Sequence, residues 1–413
     1  MKIGQFSTEN NVSIDTVRHY MNLGLINPEK IGGHYNFDER CQKDLEEVLS
    51  LKEMGFTLNE IKSIFLFKGL GKLTPYQEVE CFKEFFVNKH KEVMRQLEVL
   101  PKIKSKLEGK IKELSDKEYS NEFKIGVDIG VLNILSCLKC SGDLILHEAN
   151  ISNNQIIKGK LKCKCGEEYL IEDGILIVNS KSQEKSNNLD REYIINHMDS
   201  YITEYINDTD PNYLNNVYKG LEWSYKKLDF QKLKNKVILD LGSGVGFLLR
   251  YIYNDLPDDS IYLAVDHDIL GHKFLKKILE KADCKRKVIF ICSDFLEMPL
   301  KDKSIDVLFD YSGSSNYAFE HDGFLLKLID DYIKDDGLLL GSYILFKKFS
   351  INSFIDGKYR KNYILSNVKE EIKKLNYKCI SEAISEAVDK GGKYESYFRK
   401  DEKVYSYIFY GKR

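Results

Sequence analysis

A glycine-rich turn led by a carboxylate is the first group of residues that could do chemistry. Asp240-Leu-Gly242-Ser-Gly244-Val-Gly246 follows an apolar run and opens a helical pattern. Glycines let a backbone turn tightly and approach a ligand that any Cβ would obstruct. The segment therefore predicts a loop that binds a small molecule through main-chain groups and an acid.

Two more carboxylates follow apolar runs further along the chain. Asp266 ends the run IYLAVD, and Asp294 comes directly after VIFICS. Ligands of open α/β sheets bind at the carboxyl ends of the strands, and ionised carboxylates are strong acceptors. The acids and the turn thus predict a site for a ligand rich in hydrogen-bond donors. The dinucleotide-binding fingerprint has a glycine at the position of Phe247, so the turn does not match that pattern.

Four of the nine cysteines form two close pairs, Cys137 with Cys140 and Cys163 with Cys165. Four thiolates from two tight turns can close a tetrahedral zinc shell, and the metal would replace the core that so short a segment lacks. Because four protein ligands leave no open position, we predict structural zinc. The second pair is narrower than the usual spacing, and reduced cysteines without metal are the alternative.

A helix near the N-terminus carries donors suited to nucleic acid. Ser13 can cap this helix, whose exposed face holds Thr16, Arg18 and His19. Such side chains contact phosphates and base edges in a major groove. Residues 1–72 nevertheless hold nine Lys and Arg against ten Asp and Glu, whereas DNA-binding modules are usually basic. A winged helix used for protein contact is the alternative.

The elements that position these residues predict four parts. Residues 1–72 have the pattern of short helices and a hairpin, and residues 73–120 that of a long charged helix. Residues 131–180 alternate short strands with turns, and a polar linker over 181–190 follows. Residues 190–413 alternate strands and helices, which predicts a mostly parallel sheet covered on both faces. Strands are predicted over 237–241, 261–265, 288–291, 307–309 and 338–344.

The long helix shows the spacing of a coiled-coil seam. Pro101 lies inside it and predicts a kink or a split into two helices. We predict an antiparallel dimerisation helix, and packing on its own chain is the alternative. The seam residues, which recur every seven positions, are Val79, Phe86, Val93, Leu100, Leu107 and Leu114.

Composition limits the class of protein. The chain has 413 residues, a net charge of −2 and an apolar fraction of 43%, as expected for several soluble domains. The longest apolar candidate, residues 338–346, is broken by Gly341 and Ser342, so no membrane span is predicted. We expect a cytoplasmic protein without a membrane partner.

The pattern D-x-G-x-G-x-G with two acids in register resembles class I S-adenosylmethionine-dependent methyltransferases over residues 190–413. The resemblance implies that Asp240 helps to hold the methionine ammonium, that Asp266 accepts both ribose hydroxyls, and that Asp294 accepts from the adenine amino group. It implies no methyl acceptor.

Three further residues lie where a base or a substrate-orienting group could stand: Asp310, Tyr311 and His321. A structural role is the simpler interpretation for each of them, and no catalytic residue is assigned.

The cysteine segment ends in YLIEDGILIV (169–178), which resembles the YPIxDGIPxL ending of small zinc ribbons that precede or partner methyltransferases. Leu170 and Leu176 replace the prolines of that pattern. A ribbon before a methyltransferase also resembles the bacterial ribosomal RNA guanine methyltransferases. That resemblance keeps RNA among the possible substrates.

The N-terminal segments IGQFS, TVRHY, GLI and MGFTL resemble the MerR family of transcriptional regulators. The resemblance implies a winged helix-turn-helix followed by a dimerisation helix. The wing, Gly33-His-Tyr-Asn-Phe37, lacks the arginine of the family. The candidate DNA contacts are Thr16, Arg18, His19, Tyr20 and Tyr35.

Together these patterns predict a multidomain homodimer: a winged helix-turn-helix, a long dimerisation helix, a small β zinc ribbon and an α/β Rossmann-like methyltransferase domain. The leading hypothesis is a regulator that binds a pseudo-palindromic promoter and S-adenosylmethionine, and that methylates a small molecule. One alternative is a methyltransferase of ribosomal RNA or a metabolite, which the winged module only localises or dimerises. The other is a catalytically silent sensor of the cofactor.

Overall fold

The computed structural model of the chain describes residues 1–71, 74–116, 123–178 and 200–413. The chain forms two compact units, Met1–Glu118 and Tyr119–Arg413. The predicted linker over 181–190 lies outside the described residues. Within them, none of the helices has the length and apolar character that a membrane span requires.

The first unit begins with a small helical module. Strands β1 and β2 pair as an antiparallel hairpin over Gly32 and Gly33, whose φ angles of 58° and 86° are those of a turn that glycine favours. Phe6, Val17 and Leu45 are fully buried in the module's core. The elements are α1 (Ile3–Glu9), α2 (Ile14–Asn22), β1 (Glu29–Ile31), β2 (His34–Asn36), α3 (Glu39–Glu53) and α4 (Leu58–Gly71).

Side chains cap three helix starts in this module, those of α2, α3 and α4. Ser13 accepts a hydrogen bond from the Thr16 backbone N–H at 3.0 Å, as the sequence predicts. At the start of α4, the Thr57 hydroxyl accepts from the Glu60 N–H, and the Glu60 carboxylate accepts from the Thr57 N–H at 2.7 Å. This reciprocal pair satisfies donors that a helix start leaves unpaired.

Helix α5 (Pro75–Ser115) is one continuous helix of 41 residues, about 60 Å long at the usual rise. Pro101 lies inside it, and the predicted split into two helices does not occur. Near its start, Lys89 is buried and pairs with Glu60 of α4 at 2.8 Å. Further on, the seam is exposed: Leu100 and Leu107 keep 56% and 59% of their surface.

The second unit is built on one large sheet. Among the described residues, twelve strands join it in the order β13-β14-β12-β11-β8-β9-β10-β7-β6-β5-β3, with β4 beside β5. The strands are β3 (Val127–Asp128), β4 (Leu144–Ser152), β5 (Gln155–Cys163), β6 (Glu168–Glu172), β7 (Ile175–Ile177), β8 (Val237–Leu241), β9 (Ile261–Asp266), β10 (Lys287–Cys292), β11 (Ile305–Tyr311), β12 (Ile333–Lys348), β13 (Lys378–Ile384) and β14 (Lys403–Lys412).

Five of these strands, β8 to β12, form a parallel sheet whose order is that of a doubly wound α/β fold. Because β8 lies between β9 and β11, the strand order reverses beside it. The Rossmann-like fold class and the five predicted strands are confirmed. Two further strands, β13 and β14, were not among the predicted ones, and β14 runs antiparallel between β12 and β13.

Helices cover both faces of this sheet. Leu239 and Leu241 of β8 belong to one hydrophobic cluster and Ile238 to the other, since alternate residues of a strand face opposite sides. The α-helices among the described residues of this unit are α6 (Tyr201–Asp208), α7 (Pro211–Lys227), α8 (Phe247–Ile252), α9 (Ile269–Leu279), α10 (Gly313–Tyr317), α11 (Leu325–Leu328) and α12 (Leu365–Lys374).

The cysteine-bearing hairpins continue the same sheet. Strand β7 pairs with β6 on one side and runs parallel to β10 on the other, where Ile175 faces Phe290 and Ile177 faces Cys292. A turn at Asp173 and Gly174, both at positive φ, connects β6 to β7. The segment YLIEDGILIV therefore adds a strand next to the one that precedes Asp294. The domain boundaries at 131–180 and 190–413 stay a prediction.

Candidate functional site

The glycine turn lies at the point where the strand order reverses. It connects β8 to α8, and Gly242, Gly244 and Gly246 all have positive φ, at 71°, 48° and 78°. A Cβ on Gly246 would lie 2.5 Å from Leu275 Cδ1 of α9. The third glycine thus permits close packing against α9, while Gly242 and Gly244 line a cleft of about 460 Å³.

Asp266 fixes the turn from the neighbouring strand. It is buried at the end of β9, and its Oδ2 accepts a hydrogen bond from the Gly244 N–H at 2.9 Å. Its Oδ1 accepts from the Asp268 N–H at 2.9 Å. Asp266 also lines the cleft, so a carboxylate with remaining acceptor capacity is available there.

Asp240 lies at the end of β8, 2% exposed, and also lines the cleft. The Tyr262 hydroxyl donates a hydrogen bond to its Oδ2 at 2.8 Å. Burial raises the pKa of Asp240 to about 7; the Tyr262 hydrogen bond opposes this shift, and the charges of Asp266 and Asp310 add to it. A cationic ligand would reverse that effect, because a positive charge nearby favours the ionised carboxylate.

Asp294 follows β10 at the same end of the sheet, but its side chain is exposed and does not line the cleft. Its Oδ1 accepts a hydrogen bond from the Leu296 N–H at 2.9 Å. The structure therefore brings two of the three predicted acids into one cleft, and contact between Asp294 and adenine stays a prediction.

Sequence reasoning missed a second set of residues that line the cleft. This tyrosine wall comes from α6, α7, the end of β11 and the loop before β14. Ring centroids of Tyr201 and Tyr394 lie 5.2 Å apart, and those of Tyr205 and Tyr394 lie 6.0 Å apart. The spacing of Tyr201 and Tyr205, four residues apart on a helix, was a signal for one face. The lining residues are Tyr201, Tyr205, Tyr213, Tyr311, Tyr394, Tyr397 and Glu395.

The remaining candidate residues are Asp310 and Tyr311 at the end of β11 and His321 after α10. Asp310 is fully buried, and its Oδ1 accepts a hydrogen bond from the Ser314 N–H at 2.7 Å, which fixes the turn after β11. His321 is exposed and stacks on Tyr317 with ring centroids 4.1 Å apart. Tyr311 lines the cleft, where burial raises the pKa of its hydroxyl.

The four predicted metal ligands meet. Cys137 Sγ lies 3.5 Å from Cys165 Sγ, Cys140 Sγ lies 3.4 Å from Cys163 Sγ, and all four sulfurs lie within 4.8 Å of one another. Zinc–sulfur bonds of about 2.3 Å place the sulfurs of a tetrahedral shell about 3.8 Å apart. The cluster is therefore compatible with a metal ion.

The local backbone also suits thiolate ligands. Burial raises the pKa of the Cys137 thiol, but the N–H groups of Lys139 and Cys140 outweigh it and lower that pKa to about 6. A Cβ on Gly142 would lie 3.2 Å from Cys140 Sγ, so the glycine leaves room for the sulfur. The donor set and its surroundings fit a closed tetrahedral site.

In the first unit, α2 presents three of its predicted DNA contacts outward. Arg18 and His19 are exposed, and Thr16 is half-buried beside the Ser13 cap. Arg18 pairs with Asp15 at 3.2 Å. Tyr35 is exposed on β2 of the wing, with Lys30 Nζ 5.7 Å from its ring centroid. Contact of these four residues with DNA stays a prediction.

Tyr20 requires a correction, because its ring lies in the core of the module and is 2% exposed. Val17 and Tyr20 are three residues apart and share the buried face of α2, whereas Arg18 and His19 face outward. The Tyr20 hydroxyl accepts from Lys52 Nζ at 3.4 Å. Its position supports packing and not the predicted DNA contact.

Comparison with known proteins identifies this first unit. The family model described as MerR HTH family regulatory protein matches residues 1–67. The mercuric resistance operon regulatory protein of Bacillus cereus is 30% identical over 110 residues, which are 26% of this chain and 79% of that protein. The chain belongs to the MerR family.

Two further likenesses accompany this MerR-family assignment. The HTH-type transcriptional regulator ZntR homolog of Haemophilus influenzae is 27% identical over 124 residues, which are 30% of this chain and 86% of that protein. A solved SAM-dependent methyltransferase from Aquifex aeolicus is 19% identical, with a TM-score of 0.32, and the match covers 46% of this chain and 88% of that one.

Proposed function

We propose that this MerR-family protein is a dimeric promoter-binding regulator whose second unit binds S-adenosylmethionine and methylates a small molecule. The observation that carries the proposal is the meeting of Asp240, Asp266 and the glycine turn in one cleft. They meet at the reversal point of the strand order, where open α/β sheets bind ligands. As a promoter-binding protein it would act in the cytoplasm.

The cleft fits this cofactor in its donors and its charge. The Asp266 carboxylate would accept from the ribose hydroxyls, and Asp240 would face the methionine ammonium. Within the described residues, Ser243 Oγ is buried on the cleft wall without a hydrogen-bond partner, so it has capacity for a polar ligand group. When bound, the cofactor supplies an electrophilic methyl group on a sulfonium.

The residues that would hold the cofactor include no catalytic base, because transfer to a good nucleophile needs mainly alignment with the methyl carbon. The chain's own contribution would be to hold the donor on the glycine turn and to exclude water with the tyrosine wall. Tyr205 and Tyr397 are buried on that wall. A tyrosine-lined cleft of about 460 Å³ favours a small acceptor over a folded RNA.

Zinc held by the cysteine cluster would stabilise the hairpins and, through the pairing of β7 with β10, the edge of the cofactor sheet. In the first unit, α2 and the wing of each subunit would bind one half-site of a pseudo-palindromic promoter. The two subunits of the dimer would thus occupy the two half-sites. Dimerisation through the exposed seam of α5 would supply the second copy.

Titration of the purified protein with S-adenosylmethionine tests the cofactor assignment. Asp266→Ala should weaken binding about 10- to 100-fold, the usual loss for a charge-assisted hydrogen bond. Asp283→Ala, an exposed acid outside the cleft, is the matched control. Equal affinity of both variants would remove the ribose assignment. Binding without methyl transfer to any small molecule or RNA would favour the silent sensor.

A footprint on DNA upstream of the gene tests the regulator assignment. The full-length protein should protect two half-sites separated by one helical turn of DNA or a multiple of it. Rapid methyl transfer without any footprint would favour a methyltransferase in which the winged module only localises or dimerises the protein.

A further inference from the structure

The tyrosine wall of the cleft has features that binding of the methyl donor does not require. Tyr201 and Tyr205 stand on α6 with ring centroids 6.3 Å apart, and Tyr394 lies within 6.0 Å of both centroids. The Tyr213 and Tyr397 hydroxyls lie 3.0 Å apart. Helix α6, helix α7 and the loop before β14 thus build one aromatic surface of the cleft, and its Tyr205 ring lies 5.2 Å from the ring of Phe247, the residue after the glycine turn.

A buried carboxylate stands within this surface. Glu395 is 8% exposed and lines the cleft. Its Oε1 accepts from the Tyr205 hydroxyl at 3.0 Å, and its Oε2 accepts from the Gly392 N–H at 2.8 Å. Each carboxylate oxygen has two acceptor positions, so Glu395 retains capacity for a further donor.

Charge in the cleft has one dominant sign. Four acids line it, and no Lys or Arg does so among the residues that the structure describes. Buried carboxylates are ordinarily paired with a positive charge, but the two hydrogen bonds to Glu395 come from a neutral hydroxyl and a backbone N–H. The lining acids are Asp240, Asp266, Asp268 and Glu395, with His267 as the titratable base.

We propose that the tyrosine wall and Glu395 bind the methyl acceptor, and that this acceptor is a small aliphatic amine. The proposal rests on the proposed function, which places the sulfonium donor in the same cleft. Aromatic faces attract ammonium groups, and a carboxylate accepts hydrogen bonds from an N–H. Lys393 Nζ lies 5.6 Å from the Tyr394 ring centroid, and the acceptor would bring a second positive charge to Glu395.

The transfer balances with residues of this cleft. The acceptor binds as an ammonium and loses one proton to the Glu395 carboxylate, which passes it to solvent. The lone pair of the resulting neutral amine forms the new N–C bond while the C–S bond of the donor breaks, and sulfur keeps that electron pair. The product is a methylated ammonium, whose positive charge the tyrosine rings stabilise.

Binding of a cation and its neutral isostere to the full-length protein tests the proposal without turnover. Choline carries a methylated ammonium, whereas 3,3-dimethyl-1-butanol has the same shape with carbon in place of nitrogen. Calorimetry should show choline binding at least about tenfold more tightly, since a desolvated cation on aromatic rings gains that much. Equal affinity for the two compounds would overturn the amine assignment.

Variants separate the roles of carboxylate and rings. In Glu395→Gln the side-chain oxygen can still accept from the Gly392 N–H, and the amide can donate to Tyr205, so the fold should persist. Choline preference should fall by about tenfold in this variant, and the exposed acid variant Glu386→Gln should keep it. Tyr201→Leu should lose preference for choline, while Tyr201→Phe should keep most of it. If Glu395→Gln and Tyr201→Leu both kept the preference for choline over 3,3-dimethyl-1-butanol, the tyrosine wall and Glu395 would not be the acceptor site.

The failures of the two proposals are distinguishable. Absence of S-adenosylmethionine binding contradicts the proposed function whatever choline does. Normal donor binding with no preference for choline contradicts only the amine acceptor. With both ligands bound, transfer of a labelled methyl group to small amines supports the assignment, and transfer only to RNA or to oxygen nucleophiles overturns it.

Discussion

The two units of this protein present their polar residues in opposite ways. In the first unit Arg18 keeps 64% of its side-chain surface and lies on a helix face open to solvent. In the second, Asp240 and Asp266 are buried at the end of parallel strands, held by Tyr262 and by the glycine turn. One unit offers a surface, and the other encloses a cleft.

This difference sets how each unit would recognise a partner. Exposed charges act in a high dielectric and are screened by salt, so affinity grows by adding contacts and copies. Buried carboxylates act at short range in a lower dielectric, so a single acid changes affinity and its protonation state matters. Substitutions that separate the two subunits of the dimer or remove a metal ligand should therefore change DNA affinity or stability most. Removal of a single exposed charge should change them least.

Breaking the seam of α5 should affect the first unit most. Leu100→Glu with Leu107→Glu would place four like charges in a paired seam, so we expect the protein to become monomeric. Promoter binding should fall by about 100-fold or more, because the second half-site would no longer be linked. Sedimentation and a DNA titration measure the two effects. Ser105→Glu, on the opposite face of the helix, should leave the oligomeric state and the DNA affinity unchanged. A double variant that remains dimeric would show that the seam of α5 is not the dimer interface.

Removing a cysteine ligand should be the largest single change in the second unit. Cys137→Ser should lower metal content and reduce the free energy of unfolding by several kcal/mol, since metal binding to a structural site is folding free energy. Elemental analysis and denaturant unfolding measure this. The exposed Cys379→Ser is the control. A variant with full metal content and equal stability would exclude Cys137 as a ligand.

The same contrast explains which residues could be predicted from sequence. Asp240, Asp266 and the glycine turn lie at or directly after the ends of apolar strands, which the local pattern predicts. Because ligands of open α/β sheets bind at the carboxyl ends of the strands, these residues were expected to lie together. The four cysteines were predictable because two close pairs of thiols are the pattern that a tetrahedral metal site requires. Asp294 obeys the same spacing but is exposed, since position after a strand does not decide which way a side chain faces.

The tyrosine wall could not be predicted in this way. Tyr205 and Glu395 are hydrogen-bonded although 190 residues separate them, and no local pattern announces that contact. Tyr20 shows the opposite failure: it belongs to a recognisable motif, but its helical spacing from Val17 assigns it to the core. Family resemblance identified the helix, and its periodicity decided which face meets solvent.

Asp240 should make the stability of the second unit depend on pH. Its folded pKa of about 7 lies above the ordinary value of 3.8, so between these values the folded protein retains a proton that the unfolded chain has lost. The contribution of Asp240 to stability is therefore full below about pH 4 and is lost as pH rises towards 7, by up to about 1.4 kcal/mol per pH unit.

Denaturant unfolding from pH 5 to pH 8 compares the protein with Asp240→Asn, which cannot titrate at this position. The difference in free energy between the two should change across the window and become level above pH 7. Binding of the cationic S-adenosylmethionine should strengthen as Asp240 ionises, and this gain should be absent in the variant. Parallel pH profiles for the two proteins would mean that Asp240 does not titrate as its burial requires.

Arg18→Ala should have the smallest effect and should show the signature of an exposed contact. Arg18 pairs with exposed Asp15, and such an exposed ion pair contributes little, so the free energy of unfolding should hardly change. Promoter affinity should fall about tenfold, and S-adenosylmethionine affinity should stay the same. If Arg18 binds a phosphate, the slope of DNA affinity against salt concentration, both on logarithmic scales, should become shallower by about one in the variant. Asp15→Ala, which frees the guanidinium, should retain or improve DNA binding. If Arg18→Ala left both affinity and salt slope unchanged, α2 would not be the helix that meets DNA.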